Sequence, residues 1–180
     1  MIKSMWIAAV LVALATGMGG GVAAETAGVS AGVPAGGSAR GAVTNLPLPR
    51  YVTLKKAEVN ARRGPGLTHR IDWVFTRAGM PLRITSEYEH WRRVEDATGE
   101  GGWVQYAMLS GARSVLVATD MAEFRTRADR ASEVAFQAER GVIGRLLECT
   151  ADWCRVTVDG NKGWVLKADL WGVEADELVQ

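Results

Sequence analysis

The sequence predicts an all-β protein built from two tandem copies of one small β-barrel. Three observations predict it. A framework of Trp, Gly and Val recurs at nearly fixed spacing in the two halves of the chain beyond residue 50. Short runs that alternate apolar and polar residues, such as Leu82-Arg83-Ile84-Thr85 and Cys154-Arg155-Val156-Thr157-Val158, are divided by Gly, Asp and Asn turns. No segment in this region carries a capped helical stripe. Met121 to Gln137 comes nearest, but Arg125-Thr126-Arg127 and Asp129-Arg130 put charge on every face, so it reads as loop and short strand. Five or so short strands in about 60 residues favour a small closed barrel.

The elements follow in order. Lys3 is the sole charge before Glu25, and an apolar run, Trp6 to Ala15, follows it. Val22-Ala23-Ala24 then supplies a small-residue step, so residues 1–24 are expected to be a signal peptide cleaved after Ala24. The run is shorter than the roughly 20 residues a bilayer requires, so no stable membrane span is expected; an uncleaved anchor is the alternative. Without residues 1–24 the chain has 20 basic and 20 acidic residues, a net charge of zero. That balance argues against a nucleic-acid partner. Residues 25–47 are rich in Ala, Gly and Pro and read as a flexible linker. Barrel 1 is expected over residues 48–112 and barrel 2 over 113–178.

The repeat is specific. Trp91 is followed by Arg93-Val94, Gly102-Trp103-Val104, Leu109 and Gly111; Trp153 is followed by Arg155-Val156, Gly163-Trp164-Val165, Leu170 and Gly172. The two Trp are 12 apart in one copy and 11 in the other. Upstream, Ile84 matches Leu146, Gly79 matches Gly141, and Arg62 matches Arg125. Trp103 and Trp164, held between Gly and Val on a strand, are expected in the core, and Trp91 and Trp153 are expected to be partly exposed. Trp171 and Leu178 are placed to help close a core shared by the two barrels.

Cys149 and Cys154 enclose Thr150-Ala151-Asp152-Trp153. A hairpin with that four-residue loop sets the two Cys directly opposite, on the face that also carries Leu147 and Val156, within disulfide reach. Export favours the bond; a reduced buried pair is the alternative. The repeat matches Cys149 to Glu87 and Cys154 to Arg92, so a cross-strand Glu87–Arg92 ion pair is expected where the second copy has a covalent link.

Val59-Asn60-Ala61-Arg62-Arg63-Gly64-Pro65-Gly66, then Trp91 with Val94, then Gly102-Trp103-Val104, resembles the bacterial SH3-like (SH3b) repeat. The longer wording, with Arg70-Ile71-Asp72-Trp73-Val74-Phe75, Glu89-His90-Trp91-Arg92-Arg93-Val94 and Trp171-Gly172-Val173, is similar to the secreted tandem SH3-like proteins of Gram-negative bacteria. The resemblance covers about residues 46–178. In the second copy Arg127-Ala128-Asp129 stands where the first has Gly64-Pro65-Gly66. The resemblance implies two tandem SH3-like β-barrels in the periplasm, in generally non-catalytic modules that bind cell-wall peptides or proteins.

The residues themselves offer little chemistry beyond binding. The two His, His69 and His90, lie far from the Cys pair, which excludes a positioned base for a thiolate. Cys-x4-Cys without a nearby His is a poor zinc motif. The acid pairs Glu87/Glu89 and Glu95/Asp96 sit beside Arg and read as solvated, and Gly64-Pro65-Gly66 lacks the Lys-Ser/Thr of a phosphate loop. No catalytic residue, metal or cofactor is therefore expected. Arg62, Tyr88, Trp91, Trp103 and Tyr106 are the ligand-binding candidates, since an aromatic row beside polar loops suits an extended peptide. Arg62, Arg63, Arg70, Arg77, Arg92 and Arg93 form either a basic groove for an acidic wall peptide or a solvated face paired with Glu58, Glu87, Glu89 and Glu95. The expected function is a non-catalytic periplasmic binding module for cell-wall peptide or an envelope protein. The alternatives are a structural scaffold and an accessory subunit of a cell-wall hydrolase.

Overall fold

A computed structural model describes residues 39–180. The expected signal peptide and residues 25–38 of the expected linker lie outside the described residues. A ribbon opens the described residues, β1 (Ala39–Arg40) paired with β2 (Pro47–Leu48). Copy one follows as β3 (Arg50–Leu54), β4 (Val59–Arg62), β5 (Ile71–Phe75), β6 (Pro81–Tyr88), β7 (Trp91–Glu95), β8 (Gly101–Gln105), a 3-10 turn over Tyr106–Met108, and β9 (Leu109–Ser110). Copy two repeats this with β10 (Ser114–Val117), β11 (Ala122–Arg125), β12 (Val134–Ala138), β13 (Ile143–Cys149), β14 (Trp153–Val158), β15 (Asn161–Leu166), a 3-10 turn over Lys167–Asp169, and β16 (Leu170–Trp171). The hydrogen-bonded orders, β5-β4-β8-β7-β6-β3-β9 and β12-β11-β15-β14-β13-β10-β16, agree strand for strand. The fold is all-β, two tandem copies of one seven-stranded unit.

Neither sheet closes its ladder, because the end strands β5 and β9, like β12 and β16, do not pair. Each sheet instead bends over its own apolar face. One register pair joins β4 to β8, Arg62 with Trp103, and one joins β11 to β15, Arg125 with Trp164. Register shifts at Thr85 and Leu147 add further bends at equivalent positions of β6 and β13. The glycine before each Trp makes the corner possible. A Cβ on Gly102 would lie 2.6 Å from the Arg62 carbonyl oxygen, and one on Gly163 would lie 2.7 Å from the Phe124 Cβ.

The apolar interior forms two clusters, one around Leu54, Leu82, Val94 and Val104 and the other around Val115, Val117, Val156 and Val165. The expected shared core is thus two separate cores. Each holds one deeply buried phenyl ring from a different strand: Phe75 of β5 with the small Ala61 of β4 in copy one, and Phe124 of β11 with the small Ala138 of β12 in copy two. Trp171 does bridge the copies, its ring meeting the Tyr51 ring edge-on at 5.2 Å. The Thr53 and Ser114 hydroxyls also share a 2.7 Å hydrogen bond. Leu178 is 67% exposed and closes nothing. Its neighbour Val179 pairs with the Cys149 backbone, and the buried Lys167 ammonium donates to the Ala175 and Glu177 carbonyls at 3.1 and 2.9 Å.

Residues 39–47 of the expected linker carry the β1–β2 ribbon; all but Gly41 are exposed, and Glu87 holds the turn between the two strands. Its buried carboxylate accepts from the Val43 and Thr44 amides at 3.0 and 2.8 Å and from the Thr44 hydroxyl at 2.7 Å. Arg50 Nη2 donates to it at 2.5 Å, and Arg92 Nε lies 3.5 Å away from across the ladder. The expected Glu87–Arg92 pair exists, but inside the fold and with three further partners. Its counterpart is the disulfide: Cys149 and Cys154 are register partners with Cα atoms 4.1 Å apart, and they are bonded. Leu146, not Leu147, shares their inward face with Val156, because the register shift turns Leu147 aside. The closed loop is short, so replacing both Cys by Ala is expected to lower stability by only about 2 kcal/mol, read by urea denaturation. No thiol should titrate in the unfolded native chain until a reductant is added.

Candidate functional site

Strand alternation sorts the side chains of β4, β7 and β8 into two faces. Val94 and Val104 point inward and are at most 2% exposed. Their neighbours therefore point out, and register lines them into rows. One row runs Ser86–Arg93–Trp103–Arg62 and the next Tyr88–Trp91–Gln105. Four of the five candidates, Arg62, Tyr88, Trp91 and Trp103, thus share one outer face. Tyr106 stands on the 3-10 turn beyond it, 54% exposed, with the Arg92 guanidinium carbon 5.9 Å from its ring and His90 tilted against it at 5.8 Å.

The burial of the tryptophans reverses the expectation. Trp91 and Trp153 are each 9% exposed, whereas Trp103 and Trp164 are half-buried. Val104 and Val165 take the inward positions, so the preceding Trp must face out. Trp91 and Trp153 also leave the core faces, yet each floors a cleft and is covered by its walls. The first cleft, about 200 Å³, sets Trp91 among Asn60, Arg62, Leu67, Gln105 and Met108. Leu67, 68% exposed, is its apolar rim. Sequence reasoning passed over it, although an apolar residue directly after Gly64-Pro65-Gly66 was its signal.

The second copy builds the same cleft. Trp153 sits among Glu123, Arg125, Arg130, Leu166 and Asp169, the equivalents of Asn60, Arg62, Leu67, Gln105 and Met108, around about 350 Å³. The loop between β11 and β12 keeps its shape without the glycines. The Gly66 amide bonds the Gly64 carbonyl and the His69 amide bonds the Gly66 carbonyl; the Asp129 and Ser132 amides repeat both links to Arg127 and Asp129. Arg62 Nη1 donates to the His69 carbonyl at 2.7 Å, as Arg125 Nη1 does to Ser132 at 2.5 Å. A Cβ on Gly64 would lie 2.7 Å from the His69 ring, so the exposed His69 side chain must swing aside for any larger residue there. The smaller Ser132 frees that space for Arg127. Gly64→Ala is accordingly expected to cost only about 0.5 kcal/mol, and a second change, His69→Ser, to recover it in thermal melts.

Charge separates the two faces. In copy two Arg155 bonds Glu148 at 3.1 Å and Arg125 bonds Glu123, so both arginines flanking Trp164 are neutralised. In copy one Arg62 holds a loop carbonyl, and the exposed Arg93 side chain has no hydrogen bond or ion pair among the described residues. Other arginines are engaged. Arg83 bonds Glu95 through Nε at 2.7 Å, and Arg77 donates to the Gly141 carbonyl at 3.0 Å. Arg63 and Arg70 both bond Asp72, and these hydrogen bonds hold its carboxyl below the usual range. Of the four expected glutamate partners, Glu87 and Glu95 are paired, while Glu58 and Glu89 make no ion pair among the described residues. The described residues include no group of three His, Cys, Asp or Glu able to hold a metal, and no helix among them is long and apolar enough to cross a membrane.

Comparison with known families matches the bacterial SH3 domain twice, over residues 55–111 and 118–172. No curated protein matches the sequence. Similar solved structures include NlpC2 and NlpC1 from Trichomonas vaginalis, 16% and 15% identical, each with a TM-score of 0.33. The matches cover 68% and 73% of this chain and 48% of each of those, so the chain spans about half their length.

Proposed function

The chain belongs to the bacterial SH3 domain family, and from that premise we propose that it is a non-catalytic periplasmic module whose first copy binds an acidic cell-wall peptide or an acidic segment of an envelope protein. The observation that carries the reading is the outer face of copy one, where Trp103 lies between Arg62 and the unpaired Arg93, beside the Trp91 cleft. An extended chain laid across these rows meets flat aromatic surface, a guanidinium free to take a carboxylate, and the apolar rim of Leu67. The equivalent arginines of copy two are already spent on glutamates. Copy one is therefore the recognition face in this reading, and the leader-like residues 1–24 support export.

Retention on purified sacculi tests it. Leu67→Ser and Arg93→Ala change exposed side chains and should leave the melting temperature nearly unchanged. Each is expected to weaken retention by about fivefold, the equivalent of about 1 kcal/mol. Arg155→Ala, at the matching place in copy two, should not. Equal loss in all three variants, or retention unchanged in the first two, would overturn the assignment.

A further inference from the structure

Two strands keep one edge open. Among the described residues β5 pairs with β4 alone and β12 with β11 alone, each at the end of its sheet. Both are five residues long, and in each only the last side chain is buried, Phe75 and Ala138. Ile71, Trp73 and Val74 of β5 and Val134 of β12 are all more than a third exposed. A row of unpaired backbone groups carrying apolar side chains is a template for a further strand.

The two edges match each other in charge. Arg70 and Arg77 flank β5, whereas Glu133 and Glu139 flank β12, are exposed, and make no ion pair among the described residues. Laid antiparallel with all five residues overlapping, β5 of one molecule and β12 of another set Trp73 opposite Phe136, Asp72 opposite Gln137 and Phe75 opposite Val134. Aromatic meets aromatic, and the inward faces of the two strands fall on the same side. The next pair along is Arg70 with Glu139. Arg70 donates to Asp72 through Nε at 2.6 Å, so the other guanidinium nitrogens are left for a second carboxylate. Other pairings of these edges fit worse. In the same overlap β12 on β12 sets Glu133 against Glu139 twice, and β5 on β5 sets Asp72 against Val74 and gains no ion pair. A parallel overlap of β5 with β12 opposes Arg77 to Arg140.

We propose that the chain assembles with itself, β5 of one molecule adding to β12 of the next so that the sheet continues from one to the other. The contact joins two different surfaces, so assembly either closes into a ring or runs on as a filament. It uses the open edges and does not depend on the binding read for the outer face of copy one.

Sedimentation equilibrium of the whole chain, run across a wide range of concentration, is the test. The native chain should associate as concentration rises, and hydrogen exchange should show β5 and β12 amides gaining protection together. Arg70→Glu and Glu139→Arg each oppose like charges at the joint and should weaken association about tenfold. Both side chains are exposed, so the melting temperature in dilute solution should hardly change. Mixing the two variants should restore association, and so should carrying both changes in one chain. The proposal is overturned if the native chain stays monomeric, if either charge reversal leaves association unchanged, if the mixture and the double variant associate no better than the single variants, or if protection appears on only one of the two strands.

Discussion

Glu87→Ala is expected to destabilise the protein by about 3–5 kcal/mol, the range seen when one partner of a buried charge pair is removed. The substitution strips Arg50 and Arg92 of their carboxylate and leaves the Val43 and Thr44 amides without an acceptor. It should also release the β1–β2 ribbon, which hydrogen exchange at Thr44 and Leu46 would report. Burial works against the charge on Glu87, but the Thr44, Arg50 and Val43 hydrogen bonds outweigh it and lower its pKa from 4.5 to about 2. Because the folded value is the lower one, the unfolded chain takes up the proton first as the medium is acidified. The stabilisation is complete above about pH 4.5 and is lost as pH falls through about 2, and the shift amounts to about 3 kcal/mol. The gap between the native and Glu87→Ala proteins in urea should therefore narrow by about 2 kcal/mol between neutrality and about pH 3. A gap that stays constant across that range would show that the carboxylate charge is not what holds the ribbon.

Phe124→Ala should cost about 3–5 kcal/mol, because the ring is fully buried and stacks on Phe136 with centroids 4.6 Å apart. Ala138→Phe alone should also destabilise, by about 1–3 kcal/mol, through overpacking. Combined, the two changes recreate the arrangement of copy one, where the ring comes from β5 as Phe75 and Ala61 is the small partner on β4. The double variant is expected to be more stable than the sum of the single changes predicts, by about 1–3 kcal/mol in a double-mutant cycle. Strict additivity would mean that the two cores do not fill equivalent space. Amide protection in copy one should survive Phe124→Ala, since Val94 and Val104 pack in the other cluster.

The repeat was legible because Gly and Trp mark places where backbone geometry leaves few choices. Gly102 and Gly163 stand where a side chain would strike the next strand, and Cys149 and Cys154 reveal a register by their spacing. The orientation of the tryptophans was not legible. A Gly-Trp-Val run places either Trp or Val inward, and the choice was made by Val104 and Val165, which fill the narrow cores without a polar nitrogen to satisfy. The geometry of the candidate site was half legible. Aromatics and arginines pointed to the outer face of copy one, but the unpaired state of Arg93 depends on Ser86 standing where copy two has Glu148. Glu87 misled for the same reason, since nothing in a linear reading brings Thr44 to it across more than 40 residues.

The separation of the interior into two clusters has a consequence for how such a chain can change over generations. Damage to one half need not topple the other, so selection can act on each nearly alone. A substitution that loosens the Val115 cluster of copy two leaves the Leu54 cluster of copy one intact, and the reverse holds as well.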